Sequence, residues 1–208
     1  MQSKIYKLTE LFLLFVLVPI VFALNIVNWL KASIGVLGFI YVVIVLIRVQ
    51  KKKFKISNNI NWKSFLKQLT IKFLFIAVIT ALFVWFFYNE NFFIVVKEKP
   101  LLWLVFVGVY SLFSVYPQEL IYRTFFFERY EFLIENKYLF IFINAILFSL
   151  AHLFFKSSIV LFITFIGGLF FACTYYKTKS TLLVTIEHAI YGSWLFTVGM
   201  GTMLGFPV

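Results

Sequence analysis

Long apolar runs separated by short polar segments dominate the pattern of this chain. A membrane-spanning helix needs roughly 20 apolar residues, and fewer when it packs against neighbouring helices. By that measure the pattern predicts an all-α polytopic membrane helical bundle of about eight helices in one membrane domain, residues 1–208. The predicted segments are 11–30, 34–49, 69–88, 100–116, 117–134, 138–155, 157–176 and 181–201.

The polar breaks between these segments predict the topology. A tight turn is expected at 31–33, and 89–99 is a short loop of mixed charge. The segment 48–67 is the one substantial polar loop, and its second part, 61–67, has the pattern of an interfacial helix. Basic loops stay on the cytoplasmic side, which also places the N-terminus in the cytoplasm. The lysines on which this rests are Lys51, Lys52, Lys53, Lys55 and Lys63.

Composition supports a membrane protein and excludes several other classes. Of the 208 residues, 63% are hydrophobic and only 13% are charged, too few to cover the surface of a soluble domain. The net charge of +11 comes from lysines at segment ends and in the basic loop, where they contact anionic lipid headgroups rather than nucleic acid. The single cysteine, Cys173, excludes an internal disulfide. We therefore predict an integral protein of the plasma membrane, in contact with the lipid bilayer.

Four ionisable residues inside the apolar segments are the candidates for a functional site: Glu119, Arg123, His152 and His188. Glu119 and Arg123 are four residues apart, so they share one face of a helix. Taken singly, the Glu–Arg pair could be a structural clasp and each histidine a packed hydrogen-bonding residue. Taken together, the four suit general acid–base chemistry on a polar bond, with a water held between Glu and His.

Alternating crossings give these residues an expected depth. His152 would lie near the cytoplasmic end of its segment, on the same side as Glu119. His188 would lie about 10 Å into the last segment from the opposite side. The sequence therefore predicts a cavity in the cytoplasmic half of the bilayer or near its mid-depth.

Three motifs in order resemble the CAAX protease and bacteriocin-processing (CPBP, Abi) family of intramembrane proteases. The first is Gln118-Glu119-Leu120-Ile121-Tyr122-Arg123, where the family has two acids and then Arg. The second is Phe148-Ser149-Leu150-Ala151-His152, and the third is His188-Ala189-Ile190-Tyr191-Gly192. The resemblance covers about residues 100–201 and includes the number of helices.

The resemblance implies a mechanism as well as a fold. In the family, a glutamate and the histidine of the second motif activate a water that attacks a peptide carbonyl. Carried over, Glu119 and His152 would activate the water, His188 would stabilise the oxyanion, and Arg123 would hold the acidic motif. The implied substrate is a membrane-associated or lipidated peptide or protein.

Two departures from the family pattern leave a second hypothesis open. Gln118 stands where the family has its first acid, and Gly192 stands where it has an Asn side chain. Either Glu119 is the base, with Tyr122 or Tyr191 supplying lost hydrogen bonds, or the chain is a non-catalytic immunity factor, scaffold or regulator. A transporter is the third alternative, but the chain lacks the paired broken helices and repeat symmetry of that class.

A metal site is a further alternative that the residues leave open. Glu119, His152 and His188 could bind zinc, since catalytic zinc uses three protein ligands and a water. However, Arg123 would compete for the Glu119 carboxylate, and the family's glutamate and histidine chemistry needs no metal. We therefore predict that the protein uses no cofactor.

Overall fold

The computed structural model describes residues 3–50 and 61–204, and all regular structure in these ranges is helical. Six of the described helices are long and apolar enough to cross a membrane. They are α1 (Lys4–Ala23), α2 (Asn28–Val49), α3 (Trp62–Phe87), α4 (Pro100–Leu133), α5 (Lys137–Phe155) and α6 (Ser158–Thr178). A further helix, α7 (Thr181–Leu195), continues into a π-helical turn, Phe196–Met200. The predicted all-α membrane bundle is confirmed, and the chain is an integral membrane protein.

Large apolar side chains cover the outward sides of these helices. Leu37 on α2, Phe86 on α3 and Phe113 on α4 are 67%, 73% and 77% exposed. A water-soluble protein rarely exposes apolar side chains over such continuous surfaces. These sides are therefore the surfaces that contact lipid.

The predicted fourth and fifth segments are one helix, α4, which runs through Pro117 without a break. A proline inside a helix removes one hydrogen bond and crowds the carbonyl four residues earlier. Here a π-helical stretch, Tyr110–Val115, precedes Pro117, and the Tyr116 N–H donates to the carbonyl of Ser111, five residues back. This wider turn accommodates the proline, so the count of eight separate segments was too high. The predicted depth of the site assumed that these two segments cross the membrane separately, so that prediction no longer follows.

Two other boundaries differ from the sequence prediction. The chain turns at Leu24 and α2 already begins at Asn28, so the predicted turn at 31–33 is wrong. Lys31 lies in α2, and its ammonium donates to the carbonyl of Phe22 at 2.8 Å. A cation is favourable at this position because the carbonyl groups of the last turn of α1 accept hydrogen bonds from it. Residues 62–67 are the first turns of α3 rather than a separate interfacial helix. Lys51, Lys52, Lys53 and Lys55 of the predicted basic loop lie outside the described residues.

The chain divides into two compact units, and the prediction of a single membrane domain stays a prediction. The first unit comprises Met1–Ile56 and Gln118–Lys179. Its core contains an aromatic cluster in which Phe15 of α1 contacts Tyr122 and Phe126 of α4, each with ring centroids 5.2 Å apart. This cluster packs α1 against the part of α4 that carries the first motif.

A buried ion pair reinforces the same contact. Arg129 of α4 donates to both carboxylate oxygens of Glu10 in α1, at 2.7 and 3.1 Å. Tyr130 donates to Glu10 at 3.0 Å, and the Tyr41 hydroxyl of α2 donates to the same carboxylate. Such a network satisfies the charges that burial would otherwise make costly.

The second unit comprises Ser57–Pro117 and Ser180–Val208. The Trp103 indole N–H donates to Thr197 at 2.8 Å, and the Trp194 indole N–H donates to Thr80 at 2.9 Å. These bonds tie the region of α7 and its π-helical turn to α3 and to the start of α4. Gly199 has φ +116°, and a Cβ there would overlap the carbonyl oxygen of Asn91, so this bend requires glycine.

Candidate active site

Glu119 and Arg123 form a buried ion pair in the first unit. Both side chains are 0% exposed, and the Arg123 Nε lies 3.3 Å from a Glu119 carboxylate oxygen. Arg123 lies in a π-helical stretch, Leu120–Phe125, that directly follows Glu119. Local widening of this kind occurs often at functional sites in helices. The pair predicted from the four-residue spacing is therefore present.

Asn144 of α5 connects this pair to the neighbouring helix. Arg123 Nη1 donates to the Asn144 side-chain oxygen at 2.9 Å, and the Asn144 amide donates to the carbonyl of Tyr122 at 2.7 Å. The Arg123 guanidinium also lies over the ring of Phe148, 4.6 Å from its centroid. Asn144 was not identified from the sequence, although a polar amide inside an apolar helix is a recognisable signal.

His152 lies half-buried in α5, just after the regular α-helical turns that end at Leu150. Its Nδ1 is 2.8 Å from the carbonyl oxygen of Phe148, and a carbonyl can only accept a hydrogen bond. In the neutral ring Nδ1 therefore carries the hydrogen and Nε2 carries the lone pair. Phe148 also contacts the ring edge-on, with centroids 4.9 Å apart. This arrangement leaves Nε2 as the atom able to accept a proton.

The helices that carry Glu119 and His152 run antiparallel within the first unit. Along α4, Phe126, Arg123 and Tyr122 contact Phe140, Asn144 and Phe148 of α5 in that order. The number of residues between Glu119 and the end of α4 is about the same as the number between the start of α5 and His152. At 1.5 Å per residue, each lies roughly 20 Å from the turn that joins the two helices. Glu119 and His152 are therefore at similar levels.

Gln118 and Tyr122 flank the pair but contribute in different ways. Gln118 is half-buried and directly precedes Glu119. Tyr122 is buried, and its ring packs edge-on against Phe148 with centroids 5.3 Å apart. Its backbone carbonyl accepts the bond from Asn144, so Tyr122 supports the position of Arg123.

His188 belongs to the second unit, where it is buried on α7. Its Nε2 lies 3.4 Å from the hydroxyl of Tyr110, and the two rings meet edge-on. Gly192, one turn later, leaves the space that this tyrosine fills. A Cβ at Gly192 would overlap the Tyr110 hydroxyl and lie 2.7 Å from the Cε1 and Cζ ring atoms. The missing side chain of the third motif is thus matched by an aromatic ring from α4.

Tyr191 takes part in a separate polar cluster of the second unit. Its hydroxyl donates to Glu187 at 3.1 Å and to the carbonyl of Leu69 at 3.3 Å. Lys72 forms an ion pair with the same Glu187 oxygen at 2.8 Å. Glu187 and Lys72 were missed in the sequence analysis, although ionisable residues in apolar helices are the signal that identified Glu119.

The part of the chain that the structure describes contains no group of three or more His, Cys, Asp or Glu side chains that could hold a metal ion. The Glu119 carboxylate has Arg123 as its partner, as the sequence indicated. The predicted lack of a cofactor stays a prediction.

Comparison with known proteins identifies one family. Residues 100–194 match the family model described as Rce1-like, type II CAAX prenyl endopeptidase Rce1-like. The matched segment contains all of the residues that the sequence analysis placed in the site, and the match confirms the resemblance drawn from the three motifs. No curated protein and no solved structure gives a significant match.

Proposed function

We propose that this chain, in which residues 100–194 belong to the CAAX protease family, is an endopeptidase that hydrolyses a peptide bond of a membrane-associated or lipidated substrate. The observation that carries the proposal is the buried Glu119–Arg123 pair, with His152 at a similar level on the adjacent helix. A carboxylate and a neutral imidazole held in fixed positions are the groups needed to activate water.

The proposal assigns one role to each side chain. Glu119, with Nε2 of His152, takes a proton from water, and the resulting hydroxide attacks the carbonyl carbon of the substrate. The carbonyl oxygen becomes an oxyanion that accepts a hydrogen bond from His188. When the C–N bond breaks, the proton taken from water passes to the leaving amine. Arg123, fixed by Asn144, positions the carboxylate throughout.

Gln118 does not take part in proton transfer in this scheme. A side-chain amide neither accepts nor releases a proton near neutral pH, so the base has to be Glu119. The burial of Glu119 and its contact with Arg123 support this assignment, because a carboxylate that served only as a solvated surface group would not be enclosed.

The substrate is proposed from the family and from the membrane setting. The matched family is described as a prenyl endopeptidase, so prenylated peptides are the first class to test. The predicted orientation, with the N-terminus in the cytoplasm of a plasma-membrane protein, belongs to the same proposal. It would give the protein access to lipidated peptides at a membrane surface.

The test is a cleavage assay on purified protein in lipid nanodiscs, with a library of prenylated, acylated and membrane-anchored peptides. Glu119→Gln and His152→Ala should each lower the turnover by at least about 100-fold, since general acid–base catalysis contributes that much. Chelators should leave turnover unchanged. Glu131→Gln is the matched control, because Glu131 is also on α4 but exposed, and it should retain wild-type turnover.

A non-catalytic membrane protein is the second candidate. Gln118 in place of an acid and the missing side chain at Gly192 favour it. In that case wild type would cleave none of the peptides, while Glu119→Gln and His152→Ala would still fold and support the cellular phenotype of the protein. Loss of cleavage on chelation would instead point to the zinc alternative.

A further inference from the structure

Tyr110 is a polar residue that contacts the tip of His188 within the second unit. Its hydroxyl is 3.4 Å from Nε2 of His188, at the long end of hydrogen-bond distances. Two donor atoms at this separation can both lie about 2.8 Å from one oxygen atom placed beside them. The arrangement therefore suits shared binding of a single negatively charged oxygen.

The ring of Tyr110 is fixed from several sides. It stacks on Phe106, one turn earlier on α4, with centroids 5.8 Å apart and planes 15° from parallel. Phe106 in turn packs against Phe196, with centroids 4.4 Å apart. Gly192 lies against the hydroxyl end of the ring, where any side chain would overlap the tyrosine. A donor held in this way costs little reorganisation when charge develops near it.

Gly192 and Tyr110 are thus complementary in shape. Gly192 offers no side-chain donor, and the volume that a side chain there would enter already contains a hydroxyl group. Tyr110 contacts His188, whereas the Tyr191 hydroxyl donates toward Glu187 and the carbonyl of Leu69.

We propose that Tyr110 is a catalytic residue, the second hydrogen-bond donor to the oxyanion beside His188. This inference rests on the proposed hydrolysis. When hydroxide attacks the substrate carbonyl, the electron pair moves onto the carbonyl oxygen, which accepts hydrogen bonds from Nε2–H of His188 and from the Tyr110 hydroxyl. No proton is transferred to the oxyanion, and both bonds are released when it collapses and the C–N bond breaks.

The first test compares Tyr110→Phe with Tyr88→Phe in the nanodisc assay, on the peptide that wild type cleaves fastest. Tyr110→Phe keeps the stacked ring and removes only the hydroxyl, so kcat should fall by about 100-fold or more with little change in KM. Tyr88 is half-buried in the same unit and packs against Phe83, so its substitution should leave kcat unchanged.

A rescue experiment separates loss of the donor from loss of packing. Tyr110→Ala should be inactive, and adding Gly192→Asn should recover at least about tenfold in kcat, because the carboxamide enters the vacated space. Adding Gly192→Ala instead should recover nothing. Gly192→Asn alone, with Tyr110 present, should lose activity because the new side chain overlaps the ring.

A measurement that needs no activity tests the contact itself. The chain has two histidines, so a His152→Gln protein labelled with ¹⁵N-histidine reports only on His188. Its Nε2 resonance should be that of a protonated nitrogen and should shift when Tyr110 is replaced by Phe. An unchanged resonance would overturn the inference.

The outcomes distinguish the two proposals. If wild type cleaves peptides and Tyr110→Phe cleaves them equally well, the role of Tyr110 is refuted and the protease function stands. If wild type cleaves no peptide while it is folded, the proposed function fails, and the role of Tyr110 fails with it.

Discussion

Arg123 is a fully buried cation, and three neighbours from two helices compensate for its burial. Glu119 supplies opposite charge, Asn144 accepts a hydrogen bond, and the face of Phe148 lies against the guanidinium. A buried charge that loses a hydrogen-bond partner retains its desolvation cost. Asn144 should therefore matter for stability as well as for the position of the carboxylate.

Replacing Asn144 by Ala should lower the free energy of unfolding by about 2–3 kcal/mol, since it removes a charged hydrogen bond inside the protein. Thermal unfolding in detergent micelles measures this change. Asn25→Ala is the matched control, because Asn25 is exposed and accepts only a long bond from Lys156 at 3.2 Å. The control should change the free energy by less than about 0.5 kcal/mol. Equal effects of the two substitutions would contradict the assigned role of Asn144.

Residue by residue, the sequence predicted local pairs and missed distant ones. The Glu119–Arg123 pair follows from helical spacing alone. The partners Asn144 and Tyr110 are 21 and 78 residues away from Arg123 and His188, and no periodic pattern links such positions. Only the packing of helices brings them together, and the hydrogen bonds expected from Tyr122 or Tyr191 stay a prediction.

At the level of helices, α1 is held to α4 by charge as well as by aromatic packing. Glu10 is the buried acid of α1, and Arg129 lies on α4, ten residues after Glu119. Glu10 lies outside the segment matched to the family and Arg129 lies inside it, so this contact joins the matched segment to the rest of the chain. Breaking a buried ion pair costs about 3–5 kcal/mol, because the remaining charge has no compensation.

Glu10→Gln should therefore lower the free energy of unfolding by about 3–5 kcal/mol. The double variant Glu10→Leu/Arg129→Leu should be more stable than either single variant, since both charges are gone. Glu131→Gln tests an exposed pair with Lys179 and should cost no more than about 1 kcal/mol. Unfolding in detergent micelles compares these variants with wild type. If the double variant is as unstable as Glu10→Gln, packing rather than charge stabilises the contact between α1 and α4.

The helices themselves were largely predictable from apolar length, but their boundaries were not. Pro117 was interpreted as a helix start, since proline is favoured in the first turn. The structure instead widens the helix at Tyr110–Val115 and continues through the proline. Whether a proline begins a helix or is accommodated inside one depends on the preceding backbone geometry, which composition does not report.

On the scale of the whole molecule, charge is distributed unevenly between the ends of α3. Lys63 and Lys67 lie at its start, next to the basic segment that includes Lys51, Lys52, Lys53 and Lys55. The segment after its end is mixed, with Glu90 and Glu98 beside Lys97 and Lys99. Because lysine and arginine are retained on the cytoplasmic side, the start of α3 should face the cytoplasm.

Cysteine accessibility tests this orientation. Cys173 is the single cysteine, so Cys173→Ala gives a background that thiol reagents should not label. Lys63 and Lys97 are both exposed, and Lys63 lies in the first turn of α3 whereas Lys97 follows its end, which makes Lys63→Cys and Lys97→Cys a matched pair. In intact cells, a membrane-impermeant maleimide should label Lys97→Cys at once and should label Lys63→Cys only after permeabilisation. The opposite labelling would place the basic segment outside the cell. In that case the charge asymmetry would not determine the topology, and a substrate reached from the start of α3 would have to be extracytoplasmic.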